Sequence, residues 1–163
     1  MAEMVISERA KQAVRNFADG CNCAQSVAMA YADVLGLTQE QAAMVSVGFG
    51  GGIGRLRDNC GAFSAAVMLC GVLEGAEGAR KEHRPQTYAR VQEVHRRFVE
   101  RNGSISCAEL LGRAKAPEAP TPDARTKAYY RSRPCAKIIR RACGIIDEML
   151  AESAANAKEN EDA

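Results

Sequence analysis

The chain has no tryptophan and only four tyrosines and four phenylalanines, which leaves few platforms on which nucleic-acid bases could stack. It has no real surplus of charge either: 22 basic and 20 acidic residues, mostly interleaved, give a formal net charge of +2. So balanced a chain is not expected to seek nucleic acid. No apolar run approaches the roughly 18 residues of a membrane span, so membrane insertion is not expected. Residues Met1–Ala10 contain Glu3, Glu8 and Arg9 and no apolar centre, unlike a secretory signal, and a cytoplasmic location is the expectation. Several short motifs are absent too. Without C-x-x-C there is neither a thioredoxin-type site nor zinc-ribbon spacing, and without C-x-x-C-H covalent c-type haem is not implied.

What remains, once these classes are set aside, is a helical pattern rich in cysteine and glycine. At 163 residues and 47% hydrophobic, one domain with a substantial core is expected. Ser7 reads as the cap of a helix through Lys11–Phe17 that stops at Gly20. Cys23 begins a second, in which Val27, Ala30, Tyr31, Val34 and Leu35 form one buried stripe before Gly36. Thr38 with Gln41 has the form of a capping box and leads a third helix through Met44, Val45 and Val47. A fourth, Cys60 to Leu73, is apolar or small on most sides and so belongs at the centre. Gly75–Gln86 reads as a polar loop. Tyr88, Val91, His95, Phe98 and Val99 mark the inner face of a fifth helix closed by Gly103.

Cys107–Gly112 suggests one or two helical turns. Gly112–Thr126, with three of the five prolines, reads as a surface loop. The last helix is expected from Cys135, with Ile138, Ile139, Ala142, Ile146, Met149 and Leu150 inward. The fold class expected is therefore all-α, a single-domain bundle of about six helices over residues 1–150. A polar, frayed or disordered tail is expected at 151–163.

Gly48-Phe49-Gly50-Gly51-Gly52-Ile53-Gly54 interrupts this pattern. Five glycines in seven residues are incompatible with helix interior, where each costs about 1 kcal/mol relative to alanine. They supply unusual backbone angles or a close backbone approach. The run is not a P-loop, since no Lys-Ser or Lys-Thr follows, and not a dinucleotide fingerprint, since no strand precedes it and the sixth position lacks glycine. Two readings stay open: a tight interhelical turn, or backbone that wraps a cofactor and offers it N–H groups. Gly50, Gly51, Gly52 and Gly61 are the cofactor-binding candidates, with Arg55, and Arg57 beside it, suited to an anionic ligand.

The seven cysteines are an odd number for a disulfide framework, and in a reducing compartment thiols are reduced, metal-bound or catalytic. Cys70 and Cys143 sit inside apolar helices and read as small core hydrophobes. Cys21 is open to either reading. Cys23, Cys60, Cys107 and Cys135 differ, each standing at or near a helix N-terminus, where free N–H groups and the macrodipole favour thiolate. His95 is expected as a core histidine and His83 in a charged loop. The basic residues around Cys135, including Arg131, Arg133 and Lys137, form a solvated face or bias a nearby thiolate.

Asn22-Cys23-Ala24-Gln25-Ser26, the glycine run, Cys60-Gly61-Ala62, Cys107-x-x-Leu110-Leu111-Gly112 and the late Cys135 together resemble the C_GCAxxG_C_C family of redox-active proteins over roughly residues 8–150. The family's four signature cysteines fall on Cys23, Cys60, Cys107 and Cys135. Its last motif glycine is replaced by Ala65. The family is similar in turn to the cluster-bearing part of split-Soret cytochrome c. That resemblance implies a helical fold, a possible homodimer, and four thiolate ligands for an iron–sulfur cluster of either the 2Fe–2S or the 4Fe–4S type, one that aerobic purification can strip away.

The first functional expectation is thus an electron-transfer protein that holds an iron–sulfur cluster through these four cysteines and serves an unidentified redox partner. Thiol–disulfide exchange by the same cysteines is the alternative from the enzyme class. A structural zinc site in an interaction module is the third.

Overall fold

Short side-chain caps start half of the α-helices among the described residues. The computed structural model describes residues 6–162. Met1–Val5 and Ala163, at the outer ends of the segments expected at 1–150 and 151–163, lie outside the described residues. The Ser7 hydroxyl accepts from the Ala10 N–H at 3.1 Å and starts α1, Glu8–Ala18. Asn22 and Gln25 close a reciprocal capping box that makes Cys23 the first residue of α2, Cys23–Ala30. The expected second helix breaks at Tyr31, and α3, Ala32–Leu35, ends at left-handed Gly36. Thr38 and Gln41 form the expected box ahead of α4, Gln39–Ser46, which leaves Met44, Val45 and Val47 exposed.

The glycine run makes a short turn, α5, Gly50–Ile53, whose interior is not right-handed. The remaining elements are α6, Gly61–Leu73; α7, Arg84–Asn102; α8, Cys107–Leu110; α9, Lys127–Ser132; and α10, Cys135–Glu161. No strand occurs among the described residues, only an isolated antiparallel bridge between Asn59 and Ser106. The protein is all-α.

Helix α6 is central, as its composition demands: Gly61, Ala62, Phe63, Ala65, Ala66, Leu69 and Cys70 are all buried. It packs against α2, α7 and α10. Small residues let these helices approach closely, and Ala65 fits there buried. From α10 come Ile138, Ile139, Ala142, Ile145, Ile146 and Met149. The Tyr31 hydroxyl lies 2.7 Å from Asp147 Oδ1 and 3.0 Å from the Cys143 carbonyl. This satisfies the phenol within the core and ties α2 to α10.

Four expectations change. Residues 151–161, read as frayed, continue α10; Arg97 reaches from α7 to Glu148 and Glu152 on it at 3.3 and 2.9 Å. Gly75–Gln86 contains two short 3-10 turns and the start of α7. Tyr88 and His95 are exposed instead of inward, because the apolar stripe of α7 is narrow and centres on Val94 and Phe98. The short α9 interrupts what read as a basic stretch, with Thr126 capping it through the Tyr129 N–H at 3.1 Å.

Candidate functional site

The site is assembled where the glycine turn meets the N-termini of four helices. Gly51, Gly52, Ile53, Gly54 and Arg55 have consecutive φ values of +66°, +68°, +63°, +55° and +69°, and Arg57 has +60°. This is a stretch of left-handed backbone, unfavourable by roughly 1–2 kcal/mol at each non-glycine residue. Internal hydrogen bonds hold it, from Gly54 N–H to the Gly48 carbonyl at 2.9 Å and from Asp58 N–H to the Gly52 carbonyl at 2.9 Å. Such strain concentrates at sites where the surroundings over-determine the chain.

Those surroundings are visible. The Cys107 N–H donates to the Asp58 carbonyl at 2.6 Å, and the Cys60 N–H donates to the Ile105 carbonyl at 2.7 Å. A main-chain ladder therefore fixes Cys60 beside Cys107 although they are far apart in sequence. A Cβ on Gly52 would lie 2.5 Å from the Cys107 Cβ and 2.8 Å from the Asp58 nitrogen. A Cβ on Gly61 would lie 2.9 Å from both the Ala24 nitrogen and the Phe49 carbonyl oxygen, so glycine there lets the start of α6 abut the start of α2. The Asn22 side-chain amide donates to the Val47 carbonyl at 2.9 Å and anchors α2 to the same turn.

Cys23, Cys60, Cys107 and Cys135 line one cavity of about 480 Å³. Gly50, Gly51, Gly52, Gly61 and Arg55 line it as well. The first four residues are the metal-ligand candidates and the other five the cofactor candidates of the sequence, and all nine share this wall. The thiols surround a void and do not close on a point: among the described residues, no group of three or more His, Cys, Asp or Glu side chains is arranged to hold a metal ion. All seven cysteines are free thiols. Cys70 and Cys143 lie in the core and Cys21 stands apart, its sulfur 3.8 Å from that of Met29.

Charge around the thiols is uneven. Interaction with the adjacent Cys135 sulfur, then burial and the neighbouring sulfurs of Cys60 and Cys107, push the pKa of Cys23 well up. The same interaction with Cys23, opposed by burial and helped by Arg133, Arg125 and Arg57, brings Cys135 down to about 7. Burial pushes Cys60 up to about 12 despite the Phe63 and Ala62 N–H groups that face its sulfur. A helix N-terminus alone therefore does not yield thiolate here, because removal from water outweighs it at Cys60.

Arg57 is only 2% exposed. Its Nη1 lies 3.6 Å from the Cys107 sulfur, its Nη2 pairs with Glu118 at 2.6 Å, and its Nε is buried with no partner. Arg55 is engaged elsewhere, with Glu118 at 2.7 Å, Asp123 at 3.2 Å and the Ala119 carbonyl at 2.7 Å. The backbone N–H groups of Gly54, Arg55, Arg57 and Asp58 are also consumed within the turn, so they are not offered to a ligand. Glu118, Asp123 and Arg125 belong to the 112–126 segment that read only as surface loop. The pairing of Glu118 and Asp123 with Arg55, Arg57 and Arg133, across more than sixty residues in some cases, and the reach of Arg125 to the Cys21 carbonyl had no local signature. Neither histidine lines the cavity.

No helix among the described residues is long and apolar enough to cross a membrane. A family model described as "Putative redox-active protein (C_GCAxxG_C_C)" matches residues 21–149, from just before the first of the four cavity cysteines to well past the last. An Archaeoglobus fulgidus protein, named only "Uncharacterized protein", is 28% identical over 132 residues, covering 76% of this chain and 81% of its own length. No solved structure matches the chain significantly.

Proposed function

The chain belongs to the C_GCAxxG_C_C family of redox-active proteins, and from that premise we propose that it is an electron-transfer protein whose cavity holds an iron–sulfur cluster through Cys23, Cys60, Cys107 and Cys135. The observation that carries this reading is the gathering of four thiols, dispersed over 113 positions of sequence, along one cavity. The residues present fit such a group. Four sulfurs are the usual donor set for either the 2Fe–2S or the 4Fe–4S type. Gly52 withholds a side chain that would fill the space beside Cys107. Arg57 lines the cavity with its Nη1 3.6 Å from the Cys107 sulfur, a positive charge of the kind an anionic cofactor needs.

When bound, the cluster supplies one-electron chemistry. The chain's own contribution is positional and electrostatic. The ladder between 57–60 and 105–108 sets the spacing of two thiols, the Asn22 box sets the third, and the start of α10 the fourth. Arg57, held by Glu118, keeps a fixed positive charge beside Cys107 that favours a more reduced, more negative centre and so raises its potential.

Iron and acid-labile sulfide after anaerobic purification or reconstitution test this. Both are expected in stoichiometric amounts, lost on changing Cys60 or Cys107 to serine and kept on changing Cys70. A colourless wild-type protein without either, after reconstitution, refutes it. A specific observation favours a second reading: Cys23 and Cys135 line the same cavity and shift each other in opposite directions, with Cys135 brought down to about 7. Those two would form a reversible disulfide, giving two electrons and two protons to an acceptor disulfide; rapid alkylation of Cys135 near neutral pH is its signature. A cytoplasmic location suits either form, since the thiols stay reduced there. The homodimer implied by the split-Soret likeness is checked by sedimentation.

A further inference from the structure

One side of the cavity has no role in holding metal. Apart from the thiols and the glycine turn, its apolar wall is made chiefly by Phe17, Leu110, Leu111, Pro120, Pro122 and Tyr129, and its charged lining is Arg55, Arg57, Arg125 and Arg133 with one carboxylate, Asp123. A volume of about 480 Å³ is in the range that takes small organic ligands, and a mostly apolar lining with few polar groups is their usual setting.

Arg125 is the unusual member. Arg55, Arg57 and Arg133 each pair with Glu118 or Asp123, whereas Arg125 has no carboxylate partner among the described residues. Its guanidinium carbon lies 4.9 Å from the Phe17 ring centre and 4.7 Å from that of Tyr129. These contacts fix its plane, and cation–π attraction holds the charge where a lysine would swing free. Its Nη2 donates to the Cys21 carbonyl at 3.2 Å. Its Nη1 is buried and has no partner. A positive group placed against aromatic rings at the wall of a cavity, with no carboxylate of its own, is costly unless an anion completes it.

We propose that this wall is a binding site for a small organic carboxylate, whose charged end meets the Arg125 guanidinium and whose apolar body lies against Leu110, Leu111 and the prolines. The ligand sits beside the thiols without replacing them, where it governs access to whatever centre they form. The site is independent of the cluster and stands whether or not the thiols carry iron.

Calorimetric titration of the reduced, metal-free chain with benzoate, and separately with phosphate at matched ionic strength, tests the proposal. Benzoate is expected to bind and phosphate to bind at least about tenfold more weakly, since it has no apolar body to bury. Arg125→Gln is expected to weaken benzoate by about tenfold or more, the usual scale for losing a charge-assisted hydrogen bond. A measurement on the wild-type chain covers the case of a misfolded variant: benzoate should protect Arg125, and not exposed Arg96, from phenylglyoxal, as mapped by mass spectrometry. Equal binding of phosphate, benzoate binding insensitive to Arg125→Gln, or the absence of protection overturns the inference. Failure of iron loading with benzoate binding intact overturns only the cluster reading.

Discussion

Two ends of this bundle bury cysteine for different purposes. Around Cys70 and Cys143 the neighbours are helical and apolar: Leu69, Ala66, Ile139, Ile146 and Phe98. Burial pushes these two thiols up to about 11 and about 12, with smaller influences from Arg90 and Glu74 on the first and Asp147 on the second. Around Cys23, Cys60, Cys107 and Cys135 the chain gives up helix, adopts left-handed backbone, removes side chains at Gly52 and Gly61, and brings in arginines. The first end contributes stability by packing. The second gives some of it up to hold an open, charged space, which is how strained functional sites generally relate to their scaffolds.

The sharpest separation of the two ends comes from a core truncation. Leu69→Ala should cost about 2–5 kcal/mol in chemical denaturation yet leave iron and sulfide per folded molecule unchanged; a proportional loss of both would show that the ends are not independent. Gly52→Ala is the converse. A side chain at φ +68°, 2.5 Å from the Cys107 Cβ, should cost about 2 kcal/mol or more and abolish reconstitution, and full cluster content in that variant would remove the turn from the site.

Tyr31→Phe should cost about 1 kcal/mol, the scale of one lost buried hydrogen bond, with no effect on cavity thiol reactivity. The smallest effect is a pH dependence on the outer face. Hydrogen bonds from Arg96 and Arg97 hold Glu93 down to about 2 from an ordinary 4.5. Its contribution is therefore present above pH 4.5 and lost as pH falls toward 2. Thermal melts should show Glu93→Gln less sensitive than wild type across that window, with the difference shrinking in high salt.

Local rules carried the reading of the helices well. Ser7, Thr38 with Gln41, and Gly36 or Gly103 mark boundaries through bonds and angles confined to a few residues, and the stripe of α2 follows from periodicity. The same rules missed what depends on distant partners. Tyr88 and His95 fit the period of α7 but not the width of its contact with α6. The run 151–161 has no apolar stripe, yet propensity and the arginines of α7 carry the helix on. At the site, the four cysteines stood out because each follows a helix-starting signal. Glu118, Asp123 and Arg125 did not, because their roles come from pairing across the fold, and a proline-rich loop carries no sign of what it covers.

The main-chain pairing between 57–60 and 105–108 has one more consequence. Because amide and carbonyl groups, common to every residue type, fix the separation of two thiols, that separation is insulated from most drift in the surrounding side chains. Substitution of Asn59 or Ile105 should therefore leave the sulfur geometry in place, so long as the bare backbone opposite Cys107 is kept.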